Sequence, residues 1–213
     1  MSASRRPAGL MRLGERLLFA IGCLALCWFA AGHLHAAREQ AALSRELEGA
    51  RRTAEAASRD SSLVRVSQPA PMLATRALIG RIDVPRLRLS AVAREGVDVR
   101  TLRGSVGHVP GTALPGEAGN AAFAAHRDTF FRPLAGIRKG DTVMVTTPDG
   151  THRYTVFSTR VVEPSDVSVL RSGHLSQLTL VTCYPFDYVG SAPQRFIVQA
   201  ALTPMARDTA ATR

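Results

Sequence analysis

Leu178-Thr179-Leu180-Val181-Thr182-Cys183-Tyr184-Pro185 is the stretch on which the fold turns. The five residues Leu178–Thr182 are apolar or β-branched, and Pro185 cannot continue a central strand. The run therefore reads as a buried strand ending at a loop, with a thiol at its C-terminal tip. Cys183 is the only cysteine beyond the first 30 residues; the other two are Cys23 and Cys27. Whatever Cys183 does, it does as a free sulfur.

Working outward, the same kind of run recurs on both sides. Arg195–Leu202 is the last strand. Ala121–Ala125 is a small-residue strand leading into His126. Thr142–Thr147 and Arg153–Val161 form a hairpin through Asp149-Gly150, a strong turn signal. Ile79–Val84 and Leu87–Val92 are two strands punctuated by Pro85. Val99–Leu102 reads as one helical turn, and Phe130–Ile137 as a short helix stopped at Lys139-Gly140. Glu163–Leu170 reads as a turn with some helix. Gly104–Gly119 holds five Gly and two Pro, which predicts a loop. Seven or more short strands with few helices predict an all-β domain, a barrel or sandwich, over residues 77–204.

The N-terminal third differs in composition. Residues 17–32 carry no charge, and with His33 and His35 at an interface the apolar segment reaches residue 37. About 21 helical residues cover the roughly 30 Å hydrocarbon core of a bilayer. The expectation is a transmembrane anchor over 17–37, with residues 1–16 cytoplasmic. A cleaved signal peptide is the alternative. Arg12 and Arg16 abut the segment on one side and only Arg38 on the other, which puts the N-terminus inside and the bulk of the chain on the extracytoplasmic side. Residues 38–76 are read as a helical stalk followed by a linker, and 205–213 as a disordered tail. The formal net charge is +10, and Lys139 is the only lysine. No basic stripe interleaved with aromatics accompanies that charge, so nucleic acid is not an expected partner.

Three residues share one setting. His126 ends an apolar strand, Cys183 ends another, and Arg195 opens a third. Strand ends lie on a barrel's rim, where rigid backbone holds side chains beside a cleft. A thiol ionises only slightly at neutral pH, since its ordinary pKa is about 8.5, and a nearby cation favours the thiolate. An imidazole can protonate a leaving amine. A guanidinium can hold carbonyls or a developing oxyanion. Singly, each residue has a plainer reading: a small buried hydrophobe, a structural histidine, a surface charge. His108, His152 and His174 compete for the base; His152, after the hairpin, reads as solvated. No two of these residues have metal-ligand spacing, so neither a metal nor another cofactor is expected.

Three motifs in this order resemble the sortase family: Ala124-Ala125-His126-Arg127-Asp128, Thr179-Leu180-Val181-Thr182-Cys183, and Arg195 a dozen residues later. The blocks GTALPGEAGN (111–120), HRDTFFRPL (126–134) and CYPFDYVGSAPQRF (183–196) are most similar to class D sortases. The resemblance covers about Ala77–Thr203, with Ala125 where the family often has Gly. It implies a closed β-barrel of about eight strands and a membrane-anchored cysteine transpeptidase. On that pattern Cys183 attacks an LPxTG-like sorting signal, His126 protonates the leaving amine, and Arg195 steadies substrate or oxyanion. An amine acceptor, from a peptidoglycan precursor or a pilin-like protein, then resolves the thioester. The loop between Val161 and Leu178 shapes substrate choice on the same pattern. Thr182 and Asp128 are candidate substrate-binding residues, with positioning as their default role. A thiol peptidase that uses water, and a non-catalytic envelope-binding module, are the competing readings.

Overall fold

The strand that opened the sequence reading is real, and it is longer at both ends: Gln177–Tyr184 (β7). Leu178 and Leu180 point into the core, while Thr179, Val181 and Cys183 take the opposite face, as period-two alternation requires. The computed structural model describes residues 74–204 without a break, and before them residues 16, 18–24, 26, 38, 41, 42 and 44–53.

Seven more strands close the barrel. They are β1 (Leu78–Val84), β2 (Leu89–Glu95), β3 (Val106–His108), β4 (Asn120–Ala124), β5 (Thr142–Thr147), β6 (Gly150–Val162) and β8 (Gln194–Leu202). Their order around the barrel is β1-β2-β3-β4-β7-β8-β6-β5, with β5 returning to β1. Two neighbouring pairs are parallel, β2–β3 and β4–β7; the rest are antiparallel. Ile82, Phe123, Val143, Tyr154, Leu178 and Leu180 fill the interior. The expectation of an all-β barrel of about eight strands with short helices holds for this domain.

Local chemistry explains the connections. Pro85 opens a single 3-10 turn, Pro85–Leu87, between β1 and β2. Asp98 caps the helix α1 (Val99–Gly104), accepting from the Arg100 and Thr101 amides. A bond from the Thr101 hydroxyl, together with those from the amides, holds the Asp98 carboxyl below its ordinary pKa. Arg86 grips Asp141 with two bonds of 2.6 Å, joining the β1–β2 turn to the entrance of β5. The connection from β6 to β7 carries a 3-10 turn, Val167–Leu170.

Two expectations need correction. Residues 104–119 are not all loop, because β3 lies inside them. Three residues are too few to show an alternation, and Gly107 disguises the strand. A Cβ at Gly107 would lie 2.3 Å from the Gly96 carbonyl oxygen, so the close β2–β3 junction excludes a side chain. The β5–β6 hairpin turns one residue earlier than expected: Thr147 pairs with Gly150, and Pro148 and Asp149 form the corner. Neither has positive φ, so Gly150 follows the corner rather than making it. Part of the expected stalk also lies among the described residues. Residues 44–53 are helical, Leu47 is 2% exposed, and Glu46 pairs with Arg94 at 2.7 Å.

The chain divides into two units, Met1–Ala41 and Ala42–Arg213. Within the first, residues 18–24 are helical, with Leu18, Phe19 and Ile21 exposed. Among the described residues no helix is long and apolar enough to cross a membrane. Residues 27–37 of the expected anchor, residues 1–15, most of the linker (54–73) and the tail (205–213) lie outside the described residues.

Candidate active site

Strand register brings the three chemical residues into one row. Cys183 on β7 is directly paired with Arg195 on β8, which sets their Cα atoms about 5 Å apart. On the other side β4 runs parallel to β7, with Ala124 opposite Val181. The ladder continues one step further, where the Ala125 amide donates to the Val181 carbonyl at 3.2 Å. Two residues beyond the Ala124–Val181 pair lie His126 and Cys183. Paired residues share a face, so Cys183 and Arg195 both belong to the outer face of the sheet, and His126, two residues past the end of β4, completes the row at its edge.

The β6–β7 connection crosses that face and leaves a groove of about 170 Å³, lined by Val109, Ala124, Val169, Leu170, Val181 and Arg195 among others. Cys183 is half-buried at the end of its strand and His126 is exposed. The Arg195 Nη1 donates to the carbonyls of Gln194 (2.9 Å) and Ala192 (3.3 Å). Those bonds fix the guanidinium by its own strand and loop. The three N–H groups on Nε and Nη2 are not consumed by them.

Positioning residues surround the row. The Thr182 side chain faces inward, is 2% exposed, and donates to the Ala125 carbonyl at 2.7 Å. It ties the end of β4 to β7 and so fixes where His126 leaves the sheet. Its hydroxyl is buried and already donating to the Ala125 carbonyl, which fits the default positioning role. Asp128 is exposed in the loop after β4 and is not part of the groove lining. Arg127 donates to the carbonyls of Tyr188 (2.6 Å) and Gly190 (2.9 Å), and Arg132 to that of Phe186 (2.7 Å). Two arginines after His126 thus brace the β7–β8 loop. Sequence reasoning missed both, because partners 54 to 63 residues away leave no local pattern.

The competing histidines do not join the row. His108 is 2% exposed, with Nδ1 2.6 Å from Glu95 Oε2 and Nε2 2.9 Å from the Ala113 carbonyl. It packs edge-on against Phe123 in the barrel interior. His152 is half-buried rather than solvated. Its ring sits where a Cβ on Gly116 would be, and burial pulls its pKa below the ordinary histidine value. His174 is exposed on the β6–β7 connection.

A free, half-buried thiol paired across strands with an arginine that lines an apolar groove has the chemistry of a nucleophile beside a permanent cation. Comparison with known proteins agrees with that reading of the fold. The sortase domain family model matches residues 82–203, more than half of the chain. This chain belongs to the sortase family. It is 35% identical to Sortase D of Bacillus subtilis over 120 residues, which is 56% of this chain and 61% of that protein. It is 27% identical to Sortase A of Listeria monocytogenes over 130 residues, 59% of this chain and 57% of that protein. The chain therefore spans about three fifths of the length of the curated relatives it matches. Among solved structures, a Clostridium perfringens Sortase D5 transpeptidase superposes with a TM-score of 0.55 at 31% identity, covering 60% of this chain and 79% of that one. The expected likeness to class D sortases is borne out.

Proposed function

We propose that this chain is a membrane-anchored sortase transpeptidase, with Cys183 as nucleophile, His126 as acid and base, and Arg195 as the clamp on substrate and oxyanion. One observation supports the reading: Cys183 on β7 is paired with Arg195 on β8, Arg195 lines the groove, and His126 follows the end of β4, the strand that runs parallel to β7. In the first half-reaction the Cys183 thiolate adds to the carbonyl carbon of a Thr–Gly bond in an LPxTG-like signal. The C–N bond breaks, the proton on His126 passes to the departing amine, and a thioester remains. In the second, an acceptor amine adds to the thioester carbonyl. The amine proton returns to His126, and the C–S bond breaks to regenerate the thiolate. The apolar groove accepts the extended signal, and Arg195 Nε and Nη2 face the developing charge. The hydrophobic segment 17–37 is the anchor in this proposal, with the barrel on the extracytoplasmic side and a peptidoglycan precursor or pilin-like protein as acceptor.

The test incubates the full chain, in detergent, with an LPxTG peptide, with and without a short peptide bearing a free N-terminal amine. Mass spectrometry then finds the acyl fragment joined to the acceptor. Release of the free acid alone, with acceptor present, identifies a thiol peptidase. No cleavage, together with iodoacetamide alkylation of Cys183 no faster than that of a free model thiol, identifies a non-catalytic module.

A further inference from the structure

Beneath the β6–β7 connection lies a buried polar pair that the chemistry above does not use. Asn120 opens β4 and is 1% exposed; Thr179, on β7, is 0% exposed. Both project from the outer face, the face of the groove, with only the fully buried Ala122 continuing the row from Asn120 toward Ala124. The Thr179 hydroxyl donates to Asn120 Oδ1 at 2.8 Å. That bond orients the amide, and Asn120 Nδ2 then donates to the carbonyls of Val169 (3.0 Å) and Arg171 (3.4 Å). Two backbone acceptors of the connection are thus tied to the sheet by one side chain. Next to it, Gly119 (φ +119°) lets the chain approach so closely that a Cβ there would sit 2.5 Å from Ser172 Oγ.

Val169 and Leu170, the residues at and beside this tie, are also groove-lining residues. We propose that Asn120, oriented by Thr179, is the positioning residue that sets the groove's peptide-binding shape by latching the β6–β7 connection at Val169 and Arg171. Its effect falls on recognition of the sorting signal, because the latch touches the wall of the groove and not the row of His126, Cys183 and Arg195. This rests on the proposed function for its kinetic readout, but the latch itself is a property of the fold.

Asn120→Asp tests it with almost no change in volume. A carboxylate still accepts from Thr179 and cannot donate to either carbonyl. The expected result, in the full chain with a fluorogenic LPxTG peptide, is a KM at least tenfold higher with kcat within threefold of wild type. Iodoacetamide alkylation of Cys183 keeps its wild-type rate, and amide hydrogen exchange quickens within residues 167–172. Thr179→Val, also isosteric, reproduces both changes more weakly, while Thr179→Ser restores the wild-type KM. If Asn120→Asp does not fold, Thr179→Val carries the same readings. Wild-type KM with wild-type exchange across 167–172 overturns the latch, and so does a loss confined to kcat. A wild-type chain that never turns over the peptide refutes the transpeptidase reading instead, and the latch is then decided by the exchange measurement alone.

Discussion

At the scale of single residues, the row of three divides by how each is held. Cys183 is placed by strand register, His126 follows the end of β4, and Arg195 also has its guanidinium pinned by Gln194 and Ala192. Arg195→Lys removes a planar fork and leaves a point charge. The expected loss is about 10²–10³ in kcat, the usual cost of one oxyanion donor, measured as steady-state turnover of an LPxTG peptide. Cys183→Ala abolishes thioester formation in the same assay. Thr182→Val leaves the Ala125 carbonyl without its side-chain donor. The expected cost is about 1–3 kcal/mol, read as a shift in the urea midpoint, with kcat falling because His126 is less firmly placed. Cys183, His126 and Arg195 were legible in the sequence because each stands at the border of an apolar run. Asn120 and Thr179 were not. Their partners are distant in the chain, and an Asn before a strand has the same appearance whether or not it latches anything.

At the scale of elements, strands of five residues or more were legible and β3 was not, since Val106–His108 has no room for a pattern and its Gly107 looks like loop. The hairpin was recognised from Asp149-Gly150, yet Pro148 occupies the corner, where its fixed φ is favoured. The Arg86–Asp141 staple carries a pH dependence. Hydrogen bonds from Arg86, and one from the Arg138 amide, hold the Asp141 carboxyl below its ordinary pKa against the opposing effect of burial. A carboxyl depressed on folding contributes stability above its unfolded pKa, about 3.9. That stability disappears as pH falls through the lower folded value. Urea midpoints measured from pH 6 to pH 2 are expected to fall at the acid end in wild type. In Asp141→Asn they start lower and fall less.

At the scale of the whole molecule, the run of short strands and turns was enough to indicate an all-β barrel or sandwich, and closure came only from the resemblance to sortases. That run could not supply the order of strands, because β4 and β7 read alike in any arrangement and only the closed barrel makes them parallel neighbours. Phe123, completely buried at the centre of the barrel, reports on that closure. Phe123→Ala is expected to cost about 3–5 kcal/mol, seen in thermal unfolding. Loss of Cys183 reactivity is expected to track the loss of fold, since the row exists only when β4, β7 and β8 are joined.

The β5–β6 corner at Pro148-Asp149 joins two strands that are already paired along their length and lies on neither side of the groove. A chain severed there leaves His126 on one fragment and Cys183 with Arg195 on the other. Neither piece alone holds a complete set, so peptide turnover in a mixture becomes a direct count of reassembled barrels. Co-expressing 1–148 with 149–213 and titrating one against the other is expected to give activity that saturates at equal stoichiometry, turning this family's fold into a complementation reporter.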